Sequence, residues 1–159
     1  MPEHIDPTIA LKRADQEFCE VIQGLPDDLF MTKTDGWTPR DVVAHLVGWN
    51  RRMIQACQAI LAGRTPDYYA DAPNDYRTIN AEYVARFAAT SKETLLGELT
   101  AGLQELVEFA AALDPAEWEA SHGVKHYRGG PASVAQTLGS LAGDYAEHAR
   151  QIREWRGAG

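Results

Sequence analysis

The chain has 159 residues, of which 45% are apolar and 24% charged, and its formal net charge is −8. This length suits a single domain over residues 1–159 with a sizeable hydrophobic core. The acidic balance, without a basic cluster, argues against nucleic-acid or anionic-membrane partners. No apolar run reaches the roughly 18 residues of a membrane-spanning helix. With no leader peptide expected and two cysteines in helical apolar patterns, we expect a cytoplasmic protein with free thiols.

Apolar residues at helical spacing predict two long helices in the first half of the chain, over residues 7–23 and 39–62. Residues 27–37 are predicted to be a connection. The second helix has a strong start signal, with Thr38 as N-cap, Pro39 in the first turn and Asp41 placed for a capping box. Its inward stripe includes a histidine, His45, one turn before Trp49. This histidine stands where an apolar residue is expected.

The second half of the chain is also predicted to be helical. Helices are expected over residues 74–89, 91–113 and 132–155, with a short helical turn over residues 114–117. Residues 64–73 and 121–131 are predicted loops, and His122 and His126 in the second loop are predicted to be exposed. No segment alternates as a strand does. The sequence therefore predicts an all-α protein, a bundle of four long helices and one shorter helix.

The last helix repeats the anomaly of the second. One slot of its apolar stripe is occupied by His148, and Asp144 lies one turn earlier. An inward acid and an inward imidazole require each other or a third partner. Either Asp144 and His148 form a hydrogen-bonded pair without a functional role, or they join His45 of the second helix in one site.

Two imidazoles and a carboxylate on facing helices are suitable ligands for Zn, Ni, Fe or Mn ions, and leave positions for water or substrate. In such a site Asp41 would accept a hydrogen bond from the other ring nitrogen of His45. Trp49 would form an apolar wall, and Tyr145 would supply a hydroxyl donor. These roles are predictions from spacing.

Two passages resemble a known family. The segments Trp37–Trp49 and Asp144–Ile152 are similar to the second and last helices of DinB-like four-helix-bundle proteins. Residues 47–50, Gly63-x-x-Pro66 and Ile79-Asn80 resemble the ClbS/DfsB branch most. The resemblance implies a four-helix bundle with an additional short helix, with His45 and His148 as metal ligands. Asp144 stands where the family's metal-binding pattern has a histidine.

Three functions follow as expectations. The first is a metal-dependent hydrolase, or a transferase using a low-molecular-weight thiol, that acts on a small electrophile. The second, which the ClbS/DfsB resemblance implies, is a metal-free hydrolase that opens a strained electrophile with Asp144 or His148 as general acid or base. The third is a non-catalytic bundle that binds a small ligand. A homodimer is expected, because bundle helices often leave an apolar face uncovered.

Overall fold

The computed structural model describes residues 4–34 and 36–158, and in this part of the chain it is all-α, as the sequence predicts, with no strand beyond one isolated bridge between Lys125 and Pro131. The α-helices of these residues are α1 (Thr8–Gln23), α2 (Asp27–Phe30), α3 (Pro39–Leu61), α4 (Arg77–Arg86), α5 (Lys92–Ala111) and α6 (Val134–Ala158). Two 3-10 segments, Asp67–Asn74 and Pro115–Glu117, lie between them.

The four long helices form the bundle. Helix α1 packs along α6 and α3 packs along α5, while contacts between α3 and α6 close the bundle across its core. The shorter helix α4 lies against α3. Within the described residues, no helix is both long and apolar enough to cross a membrane.

The start of α3 is fixed by the predicted capping box. The Thr38 side chain accepts a hydrogen bond from the Asp41 backbone N–H at 3.0 Å, and the Asp41 carboxylate accepts from the Thr38 N–H at 3.1 Å. The side chain of Arg40 then donates to the backbone carbonyls of Phe87 and Thr90, which ties the end of α4 to α3. The first turn of α3 is therefore stabilised both by its own capping box and by hydrogen bonds to the end of α4.

The connections differ from the predicted ones at three places, one of which is the 3-10 segment Asp67–Asn74 in the predicted loop 64–73. Residues 27–37 contain the one-turn helix α2. The predicted helix over residues 74–89 begins only at Arg77, because Asp75 and Tyr76 have positive φ angles of 55° and 59°. A left-handed backbone costs a non-glycine residue roughly 1–2 kcal/mol and interrupts a right-handed helix. Local helix propensity does not predict this turn, because contacts with other parts of the fold stabilise it.

A polar pair joins the helices inside the core. The Tyr145 hydroxyl donates to Asn50 Oδ1 at 2.8 Å, and Asn50 Nδ2 donates to the Leu99 carbonyl at 3.2 Å. Both side chains are fully buried, and the Tyr145 ring packs edge-on against Phe18. Tyr145, expected beside the site as a hydroxyl donor, instead has its hydroxyl bound within the core.

Candidate active site

A cavity of about 530 Å³ opens between α3 and α6. Its floor is formed by side chains of these two helices, and its rim by the segments before α3, around α4 and before α6. The residues that line it are Trp37, His45, Trp49, Met53, Tyr68, Asp75, Tyr76, Asn80, His126, Tyr127, Arg128, Ser140, Leu141, Gly143, Asp144 and His148. The sequence-predicted residues His45, Trp49, Asp144 and His148 therefore line one space.

His45 lies at the bottom of this pocket and is 4% exposed. Its Nδ1–H donates to the Val42 carbonyl at 2.5 Å, which leaves Nε2 as the nitrogen with a free lone pair. The Trp37 ring lies 4.9 Å away, centroid to centroid. Burial, reinforced by the neighbouring His148, lowers the pKa of His45 well below its ordinary value. The ring is therefore neutral at physiological pH.

His148 approaches His45 from α6. The two ring centroids are 4.9 Å apart and the ring planes are nearly perpendicular, at 79°. His148 is half-buried, and this burial lowers its pKa, although a hydrogen bond with the Gln151 side chain and the charge of Glu147 oppose the shift. The pocket therefore contains two adjacent imidazoles that are neutral near pH 7 and can accept or donate a hydrogen bond.

Asp144 lies on the wall of the pocket, one helical turn before His148. Water reaches its side chain through the opening, yet protein atoms surround it closely enough to limit its hydration. This dehydration, with a smaller effect from the negative charge of Asp75, raises the pKa of Asp144 to about 6. A carboxyl group that titrates so near neutral pH is suited to proton transfer.

The opposite wall is aromatic. The Trp49 ring packs edge-on against Tyr68 and Tyr76 at centroid distances of 5.3 Å and 5.4 Å. The Trp49 indole N–H donates to Asn80 Oδ1 at 2.6 Å. This wall explains the left-handed turn at Asp75 and Tyr76, because the turn brings the Tyr76 ring onto Trp49. The rings cross at nearly right angles, so the wall offers apolar ring faces and edges to a ligand.

Among the hydrogen bonds of the described residues, none joins Asp41 to the ring of His45. Its carboxylate is occupied by the Thr38 backbone N–H, and His45 Nδ1 bonds to Val42 instead. The expected role of Asp41 in orienting the histidine is thus taken by a backbone carbonyl within α3. In residues 4–34 and 36–158, no group of three His, Cys, Asp or Glu side chains is arranged to hold a metal ion. As they stand, His45, Asp144 and His148 do not form a three-ligand set.

The sequence did not indicate the contribution of the loop before α6. His126 was predicted to be exposed, but it lines the pocket and its ring lies 5.3 Å from Tyr69. Tyr127 and Arg128 line the same rim. The Lys125–Pro131 bridge joins the two ends of this loop, which supplies lining residues to the pocket. Helical spacing cannot place a loop residue, and the only signal was the Gly129-Gly130-Pro131 turn.

Comparison with known proteins shows the family. The model of the DinB superfamily matches residues 10–152, and the chain belongs to that superfamily. The fold is similar to the crystal structure of an uncharacterised protein from Escherichia coli UTI89, with TM-score 0.75, 15% identity, and coverage of 96% of this chain and 91% of that chain. It is also similar to a crystal structure from Streptococcus pneumoniae, with TM-score 0.77, 14% identity, and coverage of 99% and 93%. No curated protein matches the chain.

Proposed function

We propose that this protein is a small-molecule hydrolase that uses Asp144 and His148 for acid–base chemistry on an electrophilic substrate. One observation carries the proposal: the ionisable side chains of α6 open into a 530 Å³ cavity whose opposite wall is aromatic. A concave space with an apolar wall and a few convergent polar groups is typical of a site for a small molecule.

The chemistry follows from the protonation state of Asp144. With a pKa of about 6, this group is mainly a carboxylate at neutral pH, but it is more basic than an ordinary aspartate. A water molecule adds to the electrophilic carbon of the substrate while Asp144 takes one proton from that water. The bond between this carbon and the leaving atom breaks, and the Asp144 carboxylic acid returns the proton to the leaving atom. The net change is the addition of one water molecule.

The neutral histidines support this step. His148, one turn from Asp144, can orient the attacking water through a ring nitrogen. His45 packs against the His148 ring and limits its rotation, because its own orientation is fixed by the Val42 carbonyl. His148 is therefore the second residue proposed to touch reacting atoms, and His45 is a positioning residue.

The resemblance to the ClbS/DfsB branch supports a narrower proposal within the superfamily. In that branch a strained ring is opened, and the same proton transfers would serve here, since ring opening also needs a nucleophile and a protonated leaving atom. The aromatic wall of Trp49, Tyr68 and Tyr76 would hold a flat substituent of such an electrophile.

The test uses a panel of aromatic electrophiles, namely styrene oxide, cyclopropyl phenyl ketone and phenyl acetate, in water labelled with heavy oxygen. Mass spectrometry should find one heavy oxygen atom in the product of at least one compound. Asp144→Asn should lower the rate by about 10²–10⁴-fold, because it removes the general base. Glu154→Gln is the matched control, since Glu154 is exposed on α6 and paired with Arg150. An unchanged rate in Asp144→Asn, or no turnover across the panel, would contradict the proposal.

The pairing of two imidazoles favours a second candidate, a metal-dependent hydrolase or thiol transferase. His45 would offer Nε2 to a Zn, Ni, Fe or Mn ion, with His148 and Asp144 as the other ligands. Because these side chains do not form a three-ligand set, binding requires them to rearrange. Such an ion would act as a Lewis acid, and a low-molecular-weight thiol would be the nucleophile.

Metal content decides this candidate. The protein is purified without an affinity tag, its bound metals are measured, and its melting temperature is recorded with each ion added. A rise in melting temperature that is lost in His148→Ala would support metal binding. A metal-free protein with unchanged melting temperature would contradict it.

A further inference from the structure

The Asn80 side chain has one functional end engaged by the protein and the other directed to solvent. Its Oδ1 accepts the Trp49 indole N–H at 2.6 Å. An indole N–H can only donate, so the Asn80 oxygen must face Trp49 and the amide cannot rotate without losing this bond. The bond to Trp49 therefore fixes which end of the Asn80 amide remains available to bind a ligand.

The available end is Nδ2, with two N–H donors. Among residues 4–34 and 36–158 the hydrogen bonds leave Nδ2 without a protein partner, and it is not one of the buried polar atoms that lack one. It is therefore open to water, and the space that Asn80 lines is the pocket. A rigidly held donor beside an aromatic wall is a group that can orient a ligand.

The charges of the pocket limit what this donor can bind. The carboxylates of Asp75 and Asp144 line the same space, and their mutual repulsion contributes to the raised pKa of Asp144. Both disfavour an additional negative charge, whereas a neutral carbonyl oxygen accepts from Asn80 without repulsion. Arg128 lies at the rim, where its guanidinium is 5.7 Å from the Tyr127 ring centroid.

We infer that Asn80 Nδ2 is the specificity-determining donor of this pocket, and that it binds the neutral carbonyl oxygen of an aromatic or conjugated ligand whose ring packs against the aromatic wall beside Tyr76. The inference rests on the proposed function for the role of the pocket and names its substrate class, aryl carbonyl compounds.

The probe is acetophenone, which has the carbonyl and the ring but no leaving group. It is titrated into isotopically labelled protein and followed by heteronuclear NMR. The Asn80 side-chain amide signals, identified by their absence in Asn80→Asp, should move downfield on binding. The shift on binding is read from the wild-type protein, and the Asn80→Asp spectrum serves only to assign the signals. Amide signals that stay in place while acetophenone binds would overturn the inference.

Asn80→Asp isolates the donor from the structural bond. An aspartate oxygen can still accept from the Trp49 N–H, but the group facing the pocket becomes an acceptor that repels a carbonyl. Affinity for acetophenone should fall about tenfold or more. Ala81→Asp is the matched control, because it adds the same charge at the next, exposed position of α4 and should leave the affinity unchanged. Equal affinity of Asn80→Asp and wild type would overturn the inference.

Two further compounds test the ligand class. Benzoate has the same ring with an anionic group, and ethylbenzene has the same ring without the carbonyl oxygen. Both should bind more weakly than acetophenone, and tighter binding of either would overturn the assignment. Because acetophenone is not hydrolysed, these measurements are independent of catalysis. Failure here leaves heavy-oxygen incorporation in the panel intact, and failure of that panel leaves the binding result intact.

Discussion

Helices α3 and α6 bring two pairs of polar side chains together, and the pairs differ in what surrounds them. Asn50 and Tyr145 bond to each other in the core, and the Leu99 carbonyl accepts the Asn50 amide. His45 and His148 also contact each other, but they face a cavity, where His45 Nδ1 bonds to the Val42 carbonyl and His148 bonds to the Gln151 side chain. The first pair stabilises the helix packing, whereas the second retains atoms that can bind something else.

The comparison shows why a buried polar residue is not by itself a functional one. Tyr145 and His45 both stand on apolar stripes, and both are almost inaccessible to water. What separates them is whether the remaining donor or acceptor capacity is used by the protein. On the pocket side this capacity is left free at His45 Nε2 and Asn80 Nδ2 among the hydrogen bonds of the described residues.

The largest effect on stability is expected in the core pair. Tyr145→Phe removes the hydroxyl and leaves Asn50 Oδ1 buried without a donor, so the free energy of unfolding should fall by about 1–3 kcal/mol. Urea denaturation measures this change. Tyr127→Phe is the control, since Tyr127 is 37% exposed at the pocket rim. Equal stability of Tyr145→Phe and wild type would remove the distinction between the two pairs.

His45 and His148 should instead affect how the free energy of unfolding depends on pH. The pKa of folded His45 is lowered, so between that pKa and about 6.5 the unfolded chain binds a proton that the folded protein does not. Stability is therefore complete above about pH 6.5 and is lost as the pH falls, by at most about 1.4 kcal/mol per pH unit for this group.

His45→Gln removes this contribution and should give a flatter curve of unfolding free energy between about pH 7 and 5. His148 titrates in the same direction and remains in the variant, so some slope persists. His122→Gln is the control, because His122 is in an exposed pair with Glu117. Parallel curves for wild type and His45→Gln would contradict a neutral, buried His45.

The sequence predicted the elements whose signals are local. The capping box of α3 and the apolar stripes of α1, α5 and α6 depend on residues a few positions apart, and the structure confirms them. The same periodicity placed His45 and His148 inward, where the structure has them lining one pocket. An inward position could be predicted because helical geometry sets it without reference to other elements.

What the sequence could not predict depends on contacts between distant segments. Tyr145 and His148 occupy the same stripe, but only the packing of α3 and Phe18 decides that the tyrosine lies in the core and the histidine at a cavity. The start of α4 was missed because Tyr76 takes a left-handed conformation to pack on Trp49. In the sequence, Asn80 stood out only through the family resemblance, whereas the structure shows that its side chain accepts the Trp49 indole N–H at the pocket.

A smaller effect tests the electrostatics of the pocket. Asp75→Asn removes the charge that helps to raise the pKa of Asp144, while asparagine tolerates the left-handed backbone at this position. The pKa of Asp144 should fall, and the acidic limb of the pH–rate profile should move to lower pH. Asp67→Asn removes an exposed charge paired with Arg52 and serves as control. An unmoved profile in Asp75→Asn would show that the two carboxylates do not interact.

The account depends most on the protonation of Asp144. The direct measurement is a pH titration of the Asp144 carboxyl carbon by NMR in the wild-type protein, with Asp144→Asn identifying the signal. The account predicts a pKa of about 6, raised by dehydration in the pocket and by Asp75. A pKa near the ordinary aspartate value of about 3.9 would contradict it, because the carboxylate would then be too weak a base for the proposed proton transfer.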